Sequence, residues 1–221
     1  MSPQFDFCWC VKRLEAVCDA VVRKGGKCSH FSISEPATID SIQSVEKQIG
    51  FRLPSNLRWF VESCSADICI YWYLNESREQ LPQSIRGVFS GGFEFSLAEL
   101  ANMYRGQLSM AREGFPDTTS PFDNLWHSTL CFSPVPNGDL LAVQRLPDVS
   151  DSIVYLSHEG DDEHGWQMGT SFLDSFMRWC AIGCVGPESW QWTLFCAASR
   201  GCIEPSGPNS RTWLQWLQDH N

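Results

Sequence analysis

Phe132-Ser-Pro-Val-Pro-Asn-Gly-Asp-Leu-Leu-Ala-Val-Gln144 contains a turn and a strand, and Ile153-Val-Tyr-Leu-Ser-His-Glu-Gly160 supplies a second strand. Asn137 and Gly138 tolerate positive φ, so the chain can reverse there and begin a strand at Leu140, with Asp139 at its start. The connection over residues 145–152 contains Pro147, Asp148 and Asp151 and is too long for a two-residue hairpin. It predicts a looser hairpin, or two neighbouring strands, with an exposed tip. The acidic run His158-Glu-Gly-Asp-Asp-Glu-His164 follows and is expected at the surface, ahead of a helix over about residues 171–182.

Working outward, Val11, Leu14, Val17, Cys18 and Val21 recur at spacings of three and four, which predicts a first helix that Gly25-Gly26 ends. Residues 27–35 show no period and are expected to be a connector. Thr38 is a candidate N-cap for a second helix with Ile39, Ile42, Val45 and Ile49 on its core face, and Gly50 is its stop. Leu53-Pro54 form an elbow, with Pro54 in the first turn of a third helix that faces inward through Leu57, Phe60, Val61 and Cys64. Residues 67–74 read as a strand, and residues 85–95 as a second strand split at Gly91-Gly92. Ser96 with Glu99 predicts a capping box for a helix burying Leu97, Leu100, Met103 and Tyr104. Residues 122–126 lead into a strand at 129–132, with Trp126 as a core anchor. A final helix over about residues 210–218 carries Trp213, Trp216 and Leu217 on one face.

The chain has 221 residues, 43% of them hydrophobic, enough for one substantial core. Its net charge of −10 repels phosphate backbones and anionic membranes and attracts basic proteins, so direct nucleic-acid binding and membrane association are not expected. Eleven cysteines, an odd number, follow a start without a basic and then apolar leader, which predicts a cytoplasmic protein with reduced, mostly buried thiols. No paired C-x-x-C knuckles occur, and neither a G-x-S-x-G elbow nor a phosphate-binding glycine loop is present. No metal, cofactor or catalytic residue is therefore assigned.

The order of these pieces resembles the SMI1/KNR4 family, also called the SUKH superfamily. The resemblance is carried by Ile49-Gly50-Phe51-x-Leu53-Pro54, by Asn137-Gly138-Asp139-Leu140-Leu141, by Val154-Tyr155-Leu156-Ser157-His158-Glu159 and by Ser171-Phe172-x-x-Phe176. It covers about residues 36–187. It implies an α+β fold in which a single twisted, mainly antiparallel sheet packs against helices. It leaves residues 1–35 as an N-terminal helical extension and 188–221 as a Trp-rich C-terminal extension docked on the same domain. It also implies a protein-binding role: bacterial members look like immunity proteins that neutralise toxins, often nucleases, while fungal relatives are signalling scaffolds.

His158, Glu159 and His164 suggest a metal-dependent hydrolase, but zinc-protease spacing requires H-E-x-x-H on one helical face, and Gly160 interrupts a longer interval here. The preferred reading is a non-enzymatic immunity protein for a basic, nuclease-type toxin, with a regulatory scaffold as the alternative. Glu159, Asp161, Asp162 and Glu163 are the candidate partner contacts, because like charges at a rim speed encounter with a basic partner. Asp139 is a further candidate, although bracing the turn is the stronger role for it. Trp126, Asn137, Gly138, Leu53 and Pro54 are assigned to structure. The oligomeric state is not set by the sequence.

Overall fold

In the computed structural model, the Asp6 side chain accepts a hydrogen bond from the Trp9 backbone N–H at 2.9 Å and starts α1 (Phe7–Arg23). The structure describes residues 5–75, 80–145, 150–160, 162–197 and 200–219. Thr38 caps α2 (Ile39–Ile49), which stops at Gly50 in the left-handed region, φ 87°. Ile42, Val45 and Ile49 of α2 are buried, but Ile39 is 61% exposed because it sits at the start of the helix, away from the core face. Pro54 precedes α3 (Ser55–Ser63) as its cap residue rather than lying inside the first turn. Leu53 is buried, and its N–H donates to Glu46 Oε1 at 2.9 Å, which fixes the elbow between the two helices.

The fold is α+β with antiparallel strands, and the sheet is divided in two. β1 (Lys27–Ile33), β2 (Asp67–Tyr73) and β3 (Ser90–Ser96) form one three-stranded sheet with β2 in the centre. β4 (Thr129–Pro134), β5 (Leu140–Gln144) and β6 (Ile153–Leu156) form the other, with β5 in the centre. β3 and β4 approach through Phe93, Phe95 and Phe132, whose rings lie 5.9 to 6.2 Å apart, and pack by their side chains rather than through a shared ladder. Alternate residues of the second sheet face two different cores. Leu130, Phe132, Leu141, Val143, Ile153 and Tyr155 enter the main core. Cys131, Leu140, Ala142, Val154 and Leu156 join Trp126 in a smaller one. Strands covered on both faces are mostly apolar, as these are apart from Thr129, Ser133 and Gln144.

Three sequence expectations change here. Residues 27–33 form the edge strand β1 rather than a connector; one face is exposed and a bulge at Ser29 interrupts the alternation that would have announced it. Gly91 and Gly92 do not split β3, since both stay in register with Trp72 and Tyr71. A Cβ on Gly91 would sit 2.2 Å from the Trp72 ring, so glycine is required there for close packing rather than for a turn. Gly91→Ala is expected to destabilise the fold by about 3 kcal/mol in urea denaturation; an unchanged midpoint would show that the Trp72 ring moves aside freely. Residues 121–128 form a helix, α5 (Pro121–Ser128), with Ser120-Pro121 at its start.

α4 (Leu100–Gly114) lies against β4 and α5, and it starts without a side-chain cap because Ser96 closes β3 instead of opening the helix. Its buried Gln107 donates to the carbonyls of Trp126 and Thr129 and to Thr129 Oγ1, and accepts from Cys131 N–H at 2.7 Å. These bonds fix the passage from α5 into β4. Ser171 caps α6 (Phe172–Ala181), which packs on α1 and α3. The irregular chain that follows lies along the free edge of β3, with Gly92 N–H donating to Cys184 O and Gly186 N–H to Ser90 O. Three indoles satisfy its carbonyls: Trp72 donates to Gly183, Trp179 to Val185 and Trp213 to Ile182, at 2.7, 2.7 and 3.0 Å. α7 (Ser189–Trp192) and α8 (Pro208–Gln218) complete the chain. No described helix is long and apolar enough to cross a membrane.

Candidate functional site

Asn137-Gly138 builds the base of the site. Gly138 has φ 96°, and the Asn137 side-chain oxygen accepts from Asp139 N–H at 3.1 Å, an Asx turn that starts β5. This turn brings Asp139 inward to 2% exposure. One carboxylate oxygen accepts from the Tyr155 hydroxyl and from Asn137 Nδ2 at 2.6 Å; the other accepts from His158 N–H at 2.8 Å and from His158 Nδ1 at 2.6 Å. Burial alone would raise the Asp139 carboxyl, but the bonds from Tyr155, His158 and Asn137 outweigh it and hold the group below the usual carboxylate range. The Tyr155 hydroxyl is pushed the opposite way, by burial first and then by Asp139. Every position on the Asp139 carboxylate is taken by the protein, so Asp139 holds His158 and does not itself reach outward.

β6 ends just before this anchor, and the acidic loop begins at His158. The Glu159 side chain is 79% exposed and that of His158 37%. Asp162 is exposed and Glu163 is half-buried, while Asp161 lies outside the described residues, as do Pro147 and Asp148 of the β5–β6 connection, where an exposed tip was expected. The far end of the loop turns inward at His164, which is 5% exposed. Its ring stacks on Phe122 with centroids 3.8 Å apart. Ser157 N–H donates to Nδ1 and Nε2–H donates to the Phe122 carbonyl, both at 3.1 Å. The local sequence gives no sign of this burial, because the aromatic partner lies 42 positions earlier.

The two histidines therefore do not converge. His158 directs Nδ1 at Asp139, and both nitrogens of His164 are engaged in the body of the protein, so the arrangement does not assemble the ligand set that a hydrolase using His158, Glu159 and His164 needs. Among the described residues, no group of three or more His, Cys, Asp or Glu side chains is placed to hold a metal ion.

The C-terminal segment braces the same loop. Arg200 Nη2 donates to the Asp162 carbonyl at 2.8 Å, and Trp166 Nε1 donates to the Gly201 carbonyl at 2.8 Å. Beneath the loop, Trp126 is fully buried and stacks on Phe115 with centroids 4.4 Å apart. A groove of about 660 Å³ is lined by Trp9 and Arg13 of α1, Met177 and Arg178 of α6, and Leu214 of α8. No residue of the acidic loop lines it, and Arg13 and Arg178 are both spent on internal bonds, to the Ala181 carbonyl and to Asp174.

The arrangement offers a charged, exposed rim at Glu159 and Asp162 on a hydrogen-bonded base of Asp139, Tyr155 and His158. Comparison with curated proteins returns no match. The model of the SMI1 / KNR4 family (SUKH-1) matches residues 36–180, from the turn before α2 to the last helical turn of α6. That family is known for immunity-protein domains and is generally non-enzymatic. The match spans more than half of the sequence and takes in the elbow, the Asn-Gly-Asp turn and the strand that leads to His158, and the chain therefore belongs to the SMI1/KNR4 family.

Proposed function

We propose that this is a cytoplasmic immunity protein that binds a cognate basic toxin of the nuclease class and neutralises it by covering its active surface, with no chemistry of its own. The observation that carries the reading is the exposed acidic rim at Glu159 and Asp162, held at one end by Asp139 through His158 and at the other by His164. A nuclease cleft must attract phosphates, and exposed carboxylates at Glu159 and Asp162 on a protein of net charge −10 complement such a cleft. Ends held by Asp139 and by the Phe122 carbonyl limit the freedom the loop can lose on binding.

The test is charge reversal at Glu159, Asp161, Asp162 and Glu163 to Lys. The variant is expected to keep the wild-type fold and to associate with a basic nuclease toxin at least about tenfold more slowly at low ionic strength, with a flatter salt dependence. Stopped-flow association over a salt series measures both. Unchanged rates and salt dependence would remove the loop as the contact.

A further inference from the structure

Cys18 and Cys28 lie 10 positions apart on either side of the Gly25-Gly26 turn, and their sulfurs are 2.6 Å from each other. Two features of the chain bring them together. Cys18 belongs to the inward stripe of α1 with Leu14, Val17 and Val21. On β1, Phe31 and Ile33 face inward, and unbroken alternation would continue through Ser29 and turn Cys28 away. The bulge inserts Ser29 as an extra residue, so that Cys28 pairs with Trp72 and His30 with Tyr71. It shifts the phase by one and aims Cys28 at the helix.

We propose that Cys18 and Cys28 form a reversible thiol–disulfide site that takes low-molecular-weight disulfides as its oxidant and, when oxidised, fastens α1 to the edge strand β1. Cys28 is half-exposed whereas Cys18 is 7% exposed, so the oxidant meets Cys28 first. Burial, and then the neighbouring Cys28, raise the Cys18 thiol above its ordinary value, which keeps Cys18 protonated while Cys28 reacts. The Cys28 thiolate attacks one sulfur of the oxidant, and the first small thiol leaves. Cys18 then gives up its proton and attacks the Cys28 sulfur of the mixed disulfide, expelling the second small thiol. Two electrons and two protons pass from the protein to the oxidant, which becomes two thiols. Excess small thiol reverses both steps. A second set of close thiols, Cys10, Cys180 and Cys184, is fully buried and closed to the same reagent.

The bond would tie a helix that lies outside the family match to the strand beside it. The full chain is incubated with oxidised or reduced glutathione, denatured and alkylated, and its peptides are mapped. Oxidised glutathione is expected to remove Cys18 and Cys28 together from the alkylatable thiols, yield one peptide joining them, and slow amide exchange in α1 by about tenfold, while accessible single thiols such as Cys8 carry only glutathione adducts. Dithiothreitol should restore all of these. Cys18→Ala should stop at a glutathione adduct on Cys28, and Cys28→Ser should form no cross-link at Cys18. Eleven free thiols after oxidation, a cross-link among Cys10, Cys180 and Cys184, or a lasting glutathione adduct on wild-type Cys28 would overturn the site. A Cys18–Cys28 bond without slower exchange in α1 would overturn its fastening role.

Discussion

Deleting residues 188–221 is expected to abolish cooperative folding of the remainder, leaving a fragment that aggregates or melts without a transition. The deletion removes Trp192, Phe195, Ile203, Trp213, Trp216 and Leu217, all buried. Trp213 stacks on Trp72 with ring centroids 5.7 Å apart, and Trp192 packs against Tyr155 and Trp166. Gln191 Oε1 accepts from the N–H groups of Phe89 and Ser90 at 3.0 and 3.2 Å, so the start of β3 loses its partner as well. Losing one buried large aromatic costs about 3–5 kcal/mol, and a whole domain is stable by only about 5–15 kcal/mol. Several such losses together exceed what the fold can absorb. Calorimetry and size-exclusion chromatography of the 1–187 fragment test this, and a soluble fragment melting near the wild-type temperature would show that the segment is an independent arm.

Asp139→Ala is expected to destabilise the protein by about 3 kcal/mol at pH 7, because it leaves the buried Tyr155 hydroxyl without its carboxylate acceptor, removes one of the two acceptors of the Asn137 amide and frees His158. Acid should reproduce part of this loss. The Asp139 carboxyl is held below its ordinary value in the folded state, so its stabilisation is complete above the unfolded carboxylate value of about 3.9 and disappears as pH falls through the folded one. Asp174 is depressed in the same direction: burial raises it, and bonds from Thr170 and Arg178 more than offset that. Urea titrations below pH 4 should therefore show wild-type stability falling with pH and a shallower, but not flat, slope in Asp139→Asn. Equal slopes in the two proteins would show that Asp139 carries no net stabilisation as a carboxylate.

Elements with local signals were legible in the sequence. Asp6, Thr38 and Ser171 each cap a helix through their own side chains, Gly50 ends one, and Asn137-Gly138 makes the turn before β5. What the sequence hid depends on contacts between distant residues. β1 is masked by its bulge, and the glycines of β3 read as a break because the Trp72 ring that requires Gly91 lies 19 positions earlier. The division into two sheets follows from aromatic packing at Phe93, Phe95 and Phe132, which no periodicity encodes. The same holds at the site. The exposure of Glu159 follows from its place in a run of charges, whereas the inward turns of Asp139 and His164 depend on Tyr155, His158 and Phe122. Ser120-Pro121, by contrast, was a readable start for α5.

The small core under the second sheet has one more consequence. Phe115, Phe122, Trp126 and His164 stack beneath the acidic loop, while Asp139 grips the residue where the loop begins. The side chains that hold the two ends of the loop are thus distinct from the exposed side chains of Glu159 and Asp162. A chimaera carrying foreign residues at 159, 161 and 162, with His158, Gly160, Glu163 and His164 kept, should melt near the parent temperature; Gly160 is kept because its φ of 77° admits no side chain without strain. Such a division would let the displayed charge change without dismantling its mount.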